Sequence, residues 1–203
     1  MLTEIAEKLT KNGFEVLIVS NAEEAGRAAL DMIPDGVDVG LGGSVTLRAL
    51  KLDVALRERG HEVHDHWTPG RSLEEQRQVL RKQVGAPVFL TSVNAVTADG
   101  KLVNIDNTGN RVAAMIFGPE HVIAIVGKNK IVADVHEAVF RAKNHAAPAN
   151  TKRRNEKNPC ILDGTCHDCD SPDRLCRVTT ILEKKTRGVA KFTVILVAED
   201  LGY

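Results

Sequence analysis

Aromatic residues are nearly missing from this chain: five Phe, one Trp and one Tyr make up 3% of its 203 residues. Proteins that read single-stranded nucleic acid stack bases on aromatic platforms, so this scarcity argues against that role. An excess of either charge is missing as well, with 27 Lys and Arg against 27 Asp and Glu. Nucleic acid and anionic membranes both select a basic excess, and neither is expected as a partner. No apolar run approaches the roughly 20 residues of a membrane helix. The opening MLTEIAEKLTKNGF is a charged amphipathic segment without the apolar centre of a secretion signal. These absences predict a soluble, cytoplasmic protein. What is present is an ordinary globular composition, 43% hydrophobic and 27% charged, with a core to be built from Val, Ile, Leu and Ala.

The pattern along the chain alternates. Leu2, Ile5, Ala6 and Leu9 fall at helical spacing and Gly13 supplies a stop, after which Phe14 to Val19 reads as a β-branched strand. Asn21 is placed to cap a helix with Glu23 and Glu24 in its first turn. Val37–Leu41 reads as a strand, Leu47–Arg59 as helical, His61–His66 as a strand or its edge, Leu73–Lys82 as a helix and Val88–Leu90 as a buried strand. Strands alternating with helices predict an α/β fold with a largely parallel sheet covered on both faces. From Val93 the rhythm changes. Residues 93–96 and 101–105 flank Asp99-Gly100 as a hairpin. Val112–Phe117 and Val122–Val126 are strongly apolar, and Ile131–His145 has helical, Ala-rich spacing. Strands at 178–182 and 192–197 close the pattern. The simplest organisation is one domain over residues 1–203, with a polar, cysteine-bearing excursion at about 150–177.

All four cysteines lie in that excursion: Cys160, Cys166, Cys169 and Cys176, spaced C-x5-C-x2-C-x6-C. Disulfides are rare in the cytoplasm, and four thiols clustered on a polar loop make a soft-metal cage. Zinc ribbons usually show two CxxC knuckles where this chain has one, which favours an iron–sulfur cluster slightly over structural zinc. The plain alternative is labile disulfides or free thiols. His167 could replace one thiolate, though a solvent-facing role suits it better.

Two further segments carry candidate chemistry. Gly42-Gly43-Ser44 and Thr46 follow a strand and open a helix, where backbone amides and hydroxyls attract phosphate or carboxylate. The segment matches neither the dinucleotide fingerprint nor the phosphate loop, and a plain turn explains it about as well. Asn94, Asn104, Asp106, Gly109 and Asn110 form the densest polar constellation, with Asn104 and Asp106 on one strand face. Such groups at a strand end suit a small polar ligand, or simply a run of Asx turns. Lys130 follows another strand and is placed to reach an anion at the same edge. His64 and His66 alternate along a strand, with metal-ligand reach as one reading and surface histidines near Trp67 as the blander one.

The blocks LGGSVTL at 41–47, TSVNAVTADGKLVNIDNTGNRVAAMIFGP at 91–119, VGKNKIV at 126–132 and RAKNHAAPAN at 141–150 resemble the LUD-domain (lactate utilisation protein) family. The ending, with PC, CHDC, SPDRLC and LGY, continues the resemblance, which covers nearly the whole chain. It implies a Rossmann-like three-layer sandwich of the ribose-phosphate isomerase and CoA-transferase-like group. It also implies a link to the oxidation of lactate to pyruvate beside iron–sulfur partner proteins. By analogy with that fold group, the GGSVT turn and the NIDNTGN strand would line one pocket for an anionic metabolite. No glutamate stands in the TSVNAV segment to serve as the nucleophile of acyl-CoA transfer.

Three functions follow. The leading one is an accessory or redox component of lactate utilisation with a small-anion pocket and a four-cysteine metal site. The second is a stand-alone isomerase or transferase-like enzyme on a phosphorylated or carboxylate molecule, with Asp106 as proton acceptor and Lys130 holding the anion. The third is a non-catalytic module whose zinc-stapled loop forms a subunit interface, as in a homodimer.

Overall fold

The structure is a computed structural model that describes residues 1–203. Its centre is a six-stranded, wholly parallel sheet. The strands are β1 (Glu15–Val19), β2 (Val39–Leu41), β3 (Val63–Asp65), β4 (Val88–Thr91), β7 (His121–Gly127) and β10 (Lys191–Val197), in the spatial order β1-β10-β7-β4-β2-β3. The inner strands are apolar on both faces because both faces are covered. Val122, Ala124 and Val126 of β7 enter one core, and Ile123 and Ile125 enter the other.

Helices α2 (Ala22–Asp31), α3 (Val45–Ala49) and α4 (Leu52–Glu58) cover one face through residues such as Ala25, Leu47 and Leu56. On the other face lie α1 (Leu2–Lys11), α5 (Leu73–Gly85) and α6 (Asn110–Ile116). A smaller sheet packs on that side as well, ordered β8-β5-β6-β9, from β5 (Ala95–Thr97), β6 (Leu102–Asp106), β8 (Ile131–Val132) and β9 (Val178–Leu182). The hairpin expected around Asp99-Gly100 is the antiparallel pair β5–β6, with Gly100 at φ +81°.

The mixed α/β sandwich with a mostly parallel sheet is therefore as the alternation predicted, and the differences are local. Of the strongly apolar stretch 112–117, residues up to Ile116 belong to helix α6 and Phe117 leaves it in an extended conformation. A short apolar stretch fits a buried helix and a buried strand equally, and here Ala114 and Met115 fill the core. The helical stretch 47–59 breaks at Lys51, which adopts φ +52° between α3 and α4. The strand at 61–66 shortens to β3. The stretch 131–145 begins with two strand residues before α7 (Val135–Arg141), passes through a π-helical turn at Ala142–Ala146, and continues as α8 (Ala147–Arg154). Pro148 offers no N–H to the preceding turn, and a widened turn just before it absorbs the loss. The cysteine excursion adds only α9 (Cys160–Asp163).

Adjacent strands β2 and β4 send the chain in opposite directions. After β2 it joins the α2–α4 layer, and after β4 it joins the small sheet. This divergence opens a crevice at the carboxyl ends of the strands, where open α/β sheets bind ligands. The floor of the crevice depends on tight packing beneath it. A Cβ on Gly40 would stand 2.5 Å from the Gln83 carbonyl oxygen and 2.9 Å from the Phe89 ring. Gly40→Ala should cost about 1–3 kcal/mol of stability in chemical denaturation; an unchanged midpoint would show that α5 moves aside freely.

Candidate functional site

The crevice holds a cavity of about 120 Å³ walled by the ends of β2, β4 and β6, the turn after β7, and the small alanines of the π-turn and α8. Its centre is Lys130, on a 3₁₀ turn (Lys128–Lys130), whose side chain is 3% exposed. The Lys130 Nζ donates to Ser92 Oγ at 2.9 Å and to Thr46 Oγ1 at 3.2 Å. Burial, and then the nearby Arg141 and Arg111, pull its amine down to about 7.

Arg111 holds the wall. Its Nε and Nη2 donate to Asp106 Oδ1 at 2.8 and 2.6 Å, and Nη1 donates to the Ser92 carbonyl and Asn104 Oδ1 at 3.0 and 2.9 Å. Nη2 also meets Asn94 Oδ1 and the Ile105 carbonyl. The second oxygen of Asp106 accepts from the Val112 N–H at 3.1 Å. Both partners of this pair are therefore committed to the framework.

The geometry sorts the residues singled out from sequence. Gly43, Ser44, Thr46, Asn94, Asp106, Lys130 and Cys176 line the cavity together. Asn104 lines nothing: it is fully buried, with Oδ1 bonded to Arg111 and Nδ2 against Met115 Sδ. Gly42 packs beneath the floor against Phe89, Thr91 and Arg111. Gly109 turns the chain into α6 at φ +85°, and Asn110 is tied to Gln83 in the adjoining groove. The Ser44 hydroxyl accepts from the Leu47 N–H, capping α3. His64 and His66 do not share a site, and His64 lies within ligand reach of Asp38 and Glu62. His64 is buried against Asp38 at 2.9 Å, and His66 contacts Gln83.

Several participants carried no sequence signal. Ser92 stands just past β4 where a hydroxyl reads as an ordinary strand end. Asn150, Trp67 and Tyr203 close the mouth of the cavity. Arg153 stacks on the Trp67 ring at 4.1 Å and bonds the Asn150 oxygen at 2.8 Å, which leaves the Asn150 amide nitrogen without a protein acceptor.

The LUD-domain family model matches residues 2–197. The chain belongs to the LUD-domain family. That family is associated in general with lactate utilisation. None of the curated proteins compared with this LUD-domain chain matches it. The crystal structure of a DUF162-family protein from Deinococcus radiodurans is similar, with TM-score 0.56 and 19% identity over 97% of this chain and 96% of that one. At that identity the likeness concerns the fold.

The cysteine excursion of the LUD domain lies against the cavity. Cys160, Cys166, Cys169 and Cys176 are unpaired thiols that line one narrow recess of about 20 Å³, together with Asn158 and Arg174. No three of their sulfurs lie within 4.8 Å of one another. Burial, and then the neighbouring Cys166, push the Cys176 thiol up to about 11. Arg174 laces the loop by donating to the carbonyls of Cys169 and Cys176, and the Asp168 N–H points to Cys166 Sγ at 3.4 Å. Asn158 is 3% exposed, yet its Oδ1 has no hydrogen-bond partner.

Two predictions follow from this geometry. A lysine that folds with its amine near 7, against 10.5 when exposed, binds fewer protons in the native state between those values. Native stability should therefore rise with pH across that window relative to Lys130→Met, by up to about 1.4 kcal/mol per pH unit. Parallel pH profiles for the two proteins would refute the buried amine. Arg111→Met leaves a buried carboxylate unpaired and should lose about 3–5 kcal/mol in denaturant titration, with Arg111→Met/Asp106→Asn recovering part of it. A double variant no better than the single one would contradict the pairing.

Proposed function

We propose that this LUD-domain protein is a redox component of lactate utilisation that binds a small carboxylate anion in the crevice and holds an iron–sulfur cluster at the adjoining four cysteines. One observation carries the reading: Ala147, Leu175 and Cys176 are walls of both cavities, so a group on the thiols would be separated from a bound anion by a single layer of side chains. An electron carrier placed there is within short reach of the ligand.

The donor set fits such a group. Four thiols without a disulfide, an amide N–H aimed at one sulfur and a guanidinium beside them are the features that hold and tune a cluster. The buried Asn158 oxygen without a partner fits a recess built around a guest. Spacing favours iron–sulfur over zinc. Tetrahedral zinc with Zn–S near 2.3 Å needs four sulfurs about 3.8 Å apart, and no three of these sulfurs are gathered within 4.8 Å. Cys160, Cys166, Cys169 and Cys176 would hold the cluster, which when bound supplies one-electron transfer. The chain's own part is to seat the anion: the Asn150 amide and the cavity walls orient it, with Lys130 at the centre of the cavity. Loading would require the Cys176 thiol to lose its proton, so retention should weaken as pH falls.

Protein purified without oxygen should contain iron and sulfide and absorb visible light, and Cys160→Ser or Cys176→Ser should lose both. Stoichiometric zinc with no colour would overturn the redox role.

A further inference from the structure

Lys130 is built in a way that an anion-holding lysine does not require. No carboxylate oxygen lies within 4.0 Å of its Nζ, and the carboxylate lining the same cavity, Asp106, is committed to Arg111 and the Val112 N–H. The groups bearing on it electrostatically, Arg111 of α6 and Arg141 from the end of α7, are cations. Both of its hydrogen-bond partners are hydroxyls whose own protons go elsewhere. Ser92 Oγ donates to the Ile125 carbonyl at 2.7 Å, and Thr46 Oγ1 turns toward Ser92 Oγ at 3.4 Å.

This arrangement offers the amine two acceptors. A neutral amine has two N–H groups and a lone pair; an ammonium has three N–H groups and a charge. The neutral form is matched bond for bond, with its lone pair left over beside the cavity. The ammonium would leave one N–H and its charge without a protein partner. The lowered affinity of this amine for protons agrees with the same count. Desolvation and neighbouring cations are the means by which proteins make a lysine nucleophilic.

We propose that Lys130 is a nucleophile whose Nζ condenses reversibly with the carbonyl carbon of a small oxo acid held in the cavity. The inference rests on the reading of the cavity as a small-anion site and names its ligand class: an acid that also carries a ketone or aldehyde. The Nζ lone pair attacks the carbonyl carbon, a C=N bond replaces the C=O bond, and the oxygen departs as water with the two amine protons. No oxidant or reductant enters the step. Ser92 Oγ, 2.9 Å from Nζ and itself bonded to the Ile125 carbonyl, holds the amine in place during the exchange. The Asn150 amide nitrogen, on the same wall and without a protein acceptor, is available to the acid end.

The test is reductive trapping. Full-length protein is incubated with pyruvate or glyoxylate and cyanoborohydride at mildly alkaline pH, then digested and mapped by peptide mass. Melting is followed in parallel with pyruvate and with lactate, which has the acid but no carbonyl. The expected result is a single reduced adduct on the peptide containing Lys130, formed well ahead of any exposed lysine and missing from Lys130→Arg. Should Lys130→Arg fail to fold, the position of the adduct in the wild-type digest decides alone. Stabilisation by pyruvate and lactate without an adduct at Lys130 would overturn the nucleophile and leave the anion site standing. Neither stabilisation nor adduct would overturn both. Equal labelling of many surface lysines would likewise overturn the nucleophile.

Discussion

The crevice depends on one buried guanidinium. Arg111 reaches from α6 to the end of β4 at the Ser92 carbonyl, and to the small sheet at Asn94, Asn104, Ile105 and Asp106. It thereby fixes the angle between the two sheets at the place where the chain diverges after β2 and β4. Burying an arginine is tolerable only when its fork is filled and its charge is matched, and Asp106 supplies the match. With Asp106 paired to Arg111, Lys130 stands in the same cavity without a carboxylate partner.

The second organising element is the run from α7 to α8. Its π-turn and Pro148 bring Ala142, Ala146 and Ala147 against the crevice, where larger residues would fill it. Lys143 and Thr151 of the same run face the thiols. One helical segment thus forms part of the partition between the crevice cavity and a four-thiol recess. That partition is thin: Ala147, Leu175 and Cys176 line both cavities.

Much of the frame was legible in the sequence. Buried parallel strands such as Val122–Val126 and Phe192–Val197 are apolar on both faces and punctuated by glycine or charge, so they stand out. Helix α6 did not, because its apolar residues form a run too short for periodicity to speak. Residue types also marked the site: Lys130, Thr46 and the cysteines follow from what those groups do. Their division of labour was not legible. Asn104 and Asp106 share a strand face with ligand-like chemistry, but only the structure shows both held by Arg111. Ser92 and Asn158 carry no pattern, since a hydroxyl or amide at a strand or loop end is commonplace until its partners are known.

The central claim is that the anion cavity and the four-cysteine recess work together. The most direct measurement is the electron paramagnetic resonance spectrum of the reduced, anaerobically purified protein, with and without saturating lactate. The account predicts an iron–sulfur signal whose shape shifts when the acid binds across the Leu175–Cys176 wall. A signal that lactate leaves unchanged, although calorimetry shows it bound, would contradict the account.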